Sequence, residues 1–249
     1  LEIPDSLEID YNTPLNQDEF DKVVLSRRSV RSYTSEAVPE ATVRHCLELA
    51  LLSPSSSNLQ PWEFHWVRSP DLKAKLASYC YSQPSARTAS DLIVCVARTN
   101  TWSSNLNAIV GDLKSTPGVS PSAIKYHEVD LPKMLEQGFF GLKGYWRSLK
   151  YGFKGLKKVQ ARRPGGPGDL LLWAVKSTTL GIQTFMLAIR AHGFDSCPME
   201  GFDEVRVGRL LNLPSDAHIV MVVSIGKRAK NGVYGKRTRI SKDQFIKRY

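Results

Sequence analysis

The chain has 249 residues and 27.9 kDa, with 42% hydrophobic and 9% aromatic residues and a formal charge of +10. That is enough for one large core and has the composition of a soluble globular protein, and runs such as 219–223 fall far short of the ~20 apolar residues that span a bilayer. The charge is uneven. Eight cations fall between Lys143 and Arg163, with no acidic residue between Glu136 and Asp169, and nine more fall between Lys227 and Arg248 against the single acid Asp243. Such a balance favours an anionic partner, whether a phosphorylated cofactor, nucleic acid or a membrane surface, and composition does not choose among them. Cys46, Cys80, Cys95 and Cys197 form no C-x-x-C pair and read as reduced thiols. With no basic-then-apolar signal segment at the start, the expected location is cytoplasmic.

In chain order, an irregular start over 1–16 leads to Phe20, Val23 and Val24, the expected inner face of a short helix. The stretch 26–33, S-R-R-S-V-R-S-Y, follows. Arg27 and Arg28 offer planar forks of N–H donors suited to phosphate oxygens, Ser29 adds a hydroxyl, and Arg31 is spaced to reach another part of the same ligand. Cations are also common at helix ends, so this stretch alone is equally a solvated helix terminus. Val43, Cys46, Leu47, Ala50 and Leu51 recur at helical spacing behind Pro39, which predicts a helix over 39–52.

A polar, proline-bracketed loop over 53–62 comes next, then a strand over 63–67 and a helix over 70–78. The continuous apolar runs 92–97 and 218–225 read as strands buried on both faces. Between them, 99–129 is rich in Ser, Asn, Gly and Pro and reads as an excursion. A long helix over 169–191 is apolar on nearly every side, which implies burial all round, and Gly193 stops it. A helix over 203–211 follows. Interleaved helices and strands without repeat or linker give a single α+β or mixed α/β domain over 1–249.

No G-x-G-x-x-G follows a predicted strand, and there is no Walker loop, H-E-x-x-H spacing or G-x-S-x-G elbow. A dinucleotide fold, a P-loop enzyme, a zinc hydrolase and a serine hydrolase are thereby disfavoured, and no metal ligands are assigned. Two polar stretches stand out instead. Ser55, Ser56, Ser57 and Asn58 precede Q-P-W, and C-P-M-E-G-F-D links the long helix to the next. Each alone is more often a turn or cap than a ligand site.

Taken in order, R-R-S-V-R-S-Y, S-P-S-S-S-N-L-Q-P-W, P-M-E-G-F-D and the basic C-terminal tail resemble the nitroreductase family of FMN-dependent oxidoreductases, over nearly the whole chain. The resemblance implies an α+β sandwich with a central, mostly antiparallel sheet flanked by helices. It also implies an intertwined homodimer with FMN at the interface. Arg27, Arg28 and Ser29 would hold the FMN phosphate, with Arg31 near the N1 and C2 carbonyl edge of the flavin. Ser55, Ser56, Ser57 and Asn58 would line the flavin from the partner subunit, and the backbone of Glu200 and Gly201 would face N5. Arg237 and Arg239 would pair at the phosphate, with Lys236 leaving the register open by one, and Gln83 would reach the pyrimidine. Chemistry of this kind comes from the cofactor and needs no catalytic side chain. A fixed guanidinium such as Arg31 stabilises the charge gathered near N1 on reduction.

The expected activity is hydride uptake from NADH or NADPH, followed by reduction of a small-molecule acceptor such as a nitroaromatic or quinone at the same flavin face. A specialised relative (dehydrogenase, dehalogenase or flavin-fragmenting enzyme) is one alternative. A basic module for nucleic acid or membrane surfaces is another; it leaves the motifs unexplained, so no nucleic-acid partner is expected. The region 99–167 departs from compact members. Within it, Leu142, Trp146, Leu149, Phe153 and Leu156 form an apolar stripe flanked by cations, expected as a mobile cover over the flavin. An ordinary surface helix and a membrane-surface helix are the rival readings.

Overall fold

The computed structural model describes residues 16–160 and 164–249. The irregular start expected over 1–16 lies, apart from Asn16, outside the described residues, as do Arg162 and Arg163 of the basic run. In chain order the elements are α1 (Gln17–Ser26), α2 (Glu40–Leu51), β1 (Trp62–Val67), α3 (Pro70–Tyr79), α4 (Pro84–Arg87) and β2 (Asp91–Arg98). The segment that follows holds α5 (Trp102–Ser115), α6 (Pro121–Lys125), α7 (Leu131–Leu135) and α8 (Leu142–Lys154). The chain closes with α9 (Pro167–Ala191), β3 (Asp195–Met199), α10 (Glu204–Leu210) and β4 (Ala217–Gly226).

The four strands form one antiparallel sheet in the order β1-β2-β4-β3. Alternation along β2 and β4 sends side chains to two cores. Ile93, Cys95, Val223 and Ile225 pack against Val43, Cys46 and Ala50 of α2 and Ile182, Phe185 and Ile189 of α9. On the other face Leu92, Val94, Val96 and Val222 meet Leu76 and Cys80 of α3, Val207 of α10, and Val30 and Tyr33. Both apolar runs are central strands; β2 is buried on both sides, as expected, while β4 is so only from Val222 on, its first half being half-buried. A bulge between Cys95 and Val96, where Val220 has no partner, tilts the far end of β2 toward a third cluster. There Ala97 joins Leu106 of α5, Leu131 and Leu135 of α7, and Trp173 of α9.

Several expectations need correction. The stretch 99–129, expected as an excursion on its turn-forming residues, is largely helical and is held by that third cluster. Residues 195–199 form an edge strand rather than a loop. Pro198 disguised it in the sequence, and an edge is where proline is tolerated. Helix α1 exists, but Phe20 and Val24 are exposed and none of its residues is fully buried, so much of its apolar side has no cover among the described residues. Helix α9 is not buried all round, since Leu172 and Leu180 stand open on one side. By length and composition α9 is also apolar enough to cross a membrane, although its apolar residues are interrupted by polar ones. Its packing on α2 and the sheet makes it the core helix of the domain.

Candidate functional site

Beyond Ser26, the last residue of α1, the stretch 27–33 is extended and bonded to the edge of the sheet. Val30 N donates to Ser196 O (3.1 Å), Arg31 N to Gly232 O (2.7 Å), and Thr34 N to Lys227 O (2.8 Å). Val30 and Tyr33 point inward and are buried, and the Tyr33 hydroxyl meets Ser224 at 3.0 Å. Arg27 and Arg28, half-buried, and Arg31, exposed, line the cleft instead. Beneath them lies Asp195, buried and clamped by Arg190 (3.2 Å) and Arg228 (2.5 Å). Arg190 Nε also donates to Ser26 Oγ (3.0 Å), so one carboxylate ties the end of α1 to β3.

The C-terminal tail folds back over this platform. Arg28 donates to Gly235 O (2.7 Å) and Arg237 to Leu25 O (2.8 Å) and to Arg27 O. The Arg31 guanidinium sits 5.7 Å from the centre of the Tyr234 ring. Together Arg27, Arg28, Ser29, Arg31, Lys236, Arg237 and Arg239 line a cleft of about 350 Å³ that, among the described residues, has no acid in its wall. Partial burial, reinforced by the positive charges of Arg237 and Arg239, lowers the Arg27 pKa from its ordinary value. A guanidinium held at this cost is relieved by an anion, and a phosphate dianion answers several of these cations at once. Tyr234 and the Asp195 anchor escaped the sequence reading. An aromatic residue beside a glycine in a basic tail, and a lone acid opening a strand, were the only signals.

Gln83 and the Glu200–Gly201 turn come together as well. Gln83 Nε2 donates to Gly201 O (3.0 Å), and Glu200 and Gly201 lie exposed beyond the end of β3. The amide carried to the pyrimidine thus holds the neighbouring turn in this structure. Tyr81 and Ser82, which lead into Gln83, both have left-handed backbones (φ +55° and +51°). Such conformations cost of order 1–3 kcal/mol each and persist where surroundings enforce them.

The Ser55–Asn58 loop is built under the same kind of strain. Ser57, Asn58 and Gln60 all have positive φ (+53°, +54° and +47°). Ser55 Oγ accepts from Gln60 N (3.0 Å), Asn105 Nδ2 donates to Leu59 O (2.9 Å), and Ser57 Oγ meets the Tyr126 hydroxyl at 3.1 Å. This loop does not line the arginine cleft. Ser56 and Ser57 instead border a second cavity of about 240 Å³ with Tyr126, Met134, Trp173 and Lys176. The chain therefore assembles the basic cleft alone, with the serine loop at another place on its surface. Among the described residues no cluster of His, Cys, Asp and Glu has the arrangement of a metal site.

Known proteins similar to this chain identify its family. The Nitroreductase family model matches residues 24–227. A Thermus thermophilus protein named "NADH dehydrogenase" is 30% identical over 208 residues, covering 84% of this chain and 86% of that protein. A "4-nitrobenzoate reductase" of Pseudomonas putida is 25% identical, with 86% and 87% covered. Among solved structures, Bacillus subtilis ydfN, described as a nitroreductase, superposes with a TM-score of 0.76 at 22% identity, covering 94% of this chain and all of that one. An Exiguobacterium sibiricum protein, also described as a nitroreductase and solved in complex with FMN, gives 0.69 at 24% identity, with 95% and 99% covered. The family model spans most of the chain, and the antiparallel sheet with its flanking helices is the fold of these relatives: the chain belongs to the nitroreductase family and is an NAD(P)H oxidoreductase of it.

Proposed function

We propose that the chain is an FMN-dependent oxidoreductase that takes hydride from NADH or NADPH and passes reducing equivalents to a nitroaromatic or quinone by a ping-pong mechanism. The observation that carries this reading is the arginine cleft, where Arg28 and Arg237 are fixed by backbone carbonyls and no acid lines the wall among the described residues. In this reading Arg27, Arg28, Ser29, Arg237 and Arg239 bind the FMN phosphate. Little provision remains for an adenosine moiety, which favours FMN over FAD. Arg31, steadied on Tyr234, offers positive charge to the N1 and C2 carbonyl edge. Gln83 holds the Glu200–Gly201 backbone in place to face N5. Bound FMN supplies the hydride chemistry, and the protein supplies position and electrostatics.

The Ser55–Asn58 loop completes the site from a second copy, so the working unit is a homodimer. Support comes from the separation of that loop from the cleft and from uncovered apolar residues on α1, on α9 and in the tail, where Phe245 and Ile246 are exposed. The four cysteines, all free and buried, fit a reducing, cytoplasmic setting.

Heat release of the cofactor followed by chromatography tests the assignment: FMN is expected, and recovery of FAD alone sinks it. Stopped-flow reduction of the bound flavin by NADH and by NADPH identifies the donor. Sedimentation at micromolar concentration tests the assembly, because a flavin-loaded, active monomer contradicts the shared site.

A further inference from the structure

Helix α8 is mounted inside out. At 3.6 residues per turn, Gly144, Arg147, Ser148 and Tyr151 share one side of it, and Leu142, Tyr145, Trp146, Leu149 and Phe153 the other. The polar side is the one that faces the protein. Arg147 donates to the carbonyls of Lys133 (3.0 Å), Glu136 (2.7 Å), Pro164 (3.1 Å) and Gly165 (3.2 Å). Gly144 is buried so closely that an added Cβ would lie 2.1 Å from Gly165 O. The apolar arc points away from the body, with Trp146 70% and Phe153 67% exposed, and it does not border the arginine cleft. Phe139 and Phe140, 79% and 81% exposed, extend it at the N-terminal end.

The rim of the arc is cationic. Lys143 pairs with Glu136 (2.7 Å), but among the described residues Lys150, Lys154, Lys157 and Lys158 make no ion pair. No acidic residue lies from 137 to 168 to offset them. A second copy laid face to face on the arc would bring one set of lysines against another, which like-charge repulsion opposes. Trp, Phe and Leu on one face, lysines at its rim and low net hydropathy describe a helix that lies in the headgroup plane of an anionic bilayer. We propose that α8 and the Phe139–Phe140 turn form a docking surface for membranes rich in anionic lipid, with the aromatic side chains at the acyl boundary and the lysines among the headgroups.

Vesicle flotation of the full chain tests this, using phosphatidylcholine alone and phosphatidylcholine mixed with phosphatidylglycerol. The wild type is expected to float with the mixed vesicles only, and less so as salt rises. K150Q/K154Q/K157Q should lower partitioning by about 5-fold per lysine, on the order of 100-fold in all. W146S/F153S should abolish it. Both variants alter exposed side chains, and unchanged thermal unfolding verifies that they fold; the salt dependence of the wild type tests the proposal without any variant. Failure to float, equal partitioning into both vesicle types, or wild-type binding by either variant overturns it. So does sedimentation showing that W146S/F153S breaks a dimer of a wild type that does not float. The readout is independent of flavin content, so its failure leaves the proposed function standing, and the reverse holds too.

Discussion

Two regions of this molecule are strongly basic, and they are built in opposite ways. In the cleft around Arg27 the cations are arginines, and Arg28 and Arg237 are pinned by backbone carbonyls on a platform anchored by buried Asp195. Along α8 the cations are mostly lysines in solvent on the rim of an apolar arc; Lys143 pairs with Glu136, and Arg147 is pinned by backbone carbonyls with its charge turned inward. Rigid, planar, partly dehydrated donors select one compact anion, whereas hydrated, flexible ammonium groups suit a diffuse field of charge. Equal charge on the sequence thus corresponds to two different kinds of surface, and the difference lies in what the backbone offers each cation.

The comparison breaks most severely at Asp195. Asp195→Asn removes the charge that compensates Arg190 and Arg228 under the cleft, and should cost about 3 kcal/mol of global stability, read by urea denaturation. An unchanged midpoint would mean that the platform does not depend on the clamp. Next is Arg27→Ala, which should weaken FMN binding by about 2 kcal/mol while leaving the unfolding of the flavin-free protein near wild type; titration of that protein measures it. Arg147→Gln tests the other region. Loss of its carbonyl bonds should loosen α8 by about 1.5 kcal/mol, seen as faster proteolysis within 139–160, with flavin affinity untouched.

The smallest effect concerns the core that supports the Gln83 turn. Burial pushes the Cys80 thiol up from its ordinary value of 9.0 to about 11. Its folded pKa is raised, so its contribution to stability is complete below pH 9 and is lost as the pH climbs to 11, on the order of 1 kcal/mol per pH unit. Cys80→Ala should flatten that part of the stability profile. An equally steep fall in the variant would assign the alkaline loss elsewhere.

Much of the architecture was legible because local pattern and tertiary role agree. The runs at β2 and β4 read as doubly covered strands, which holds for β2 and for the second half of β4, and the α2 spacing behind Pro39 gave the helix within one residue at each end. What escaped was decided by contacts remote in sequence. Strand β3 carries a proline and shows no alternation, and it exists because β4 offers it a partner. The uncovered sides of α1 and α9 had read as interior because periodicity reports apolarity and not burial. At the site, the arginine and serine motifs were readable as residue types. Their grouping was not: the tail returns over 200 residues later to close the cleft, while the serine loop stays outside it. The amphipathic stripe of α8 was likewise plain, but its outward orientation followed from Gly144 and Arg147, which pattern alone ranks as a helix breaker and a surface cation.

Strand β3 is an edge strand, and its outer rim is occupied by the chain that bears the arginines, through the pairing of Ser29 with Ser196 and the bond from Val30 N. Bare strand edges recruit other chains. The segment that builds the basic cleft is therefore also the guard of the sheet. A substitution that lifts 29–33 from β3 would unmake the anion site and leave the molecule prone to aggregate in the same event. Selection for solubility and selection for ligand binding fall here on the same few peptide groups, so this stretch is held in place by two pressures at once.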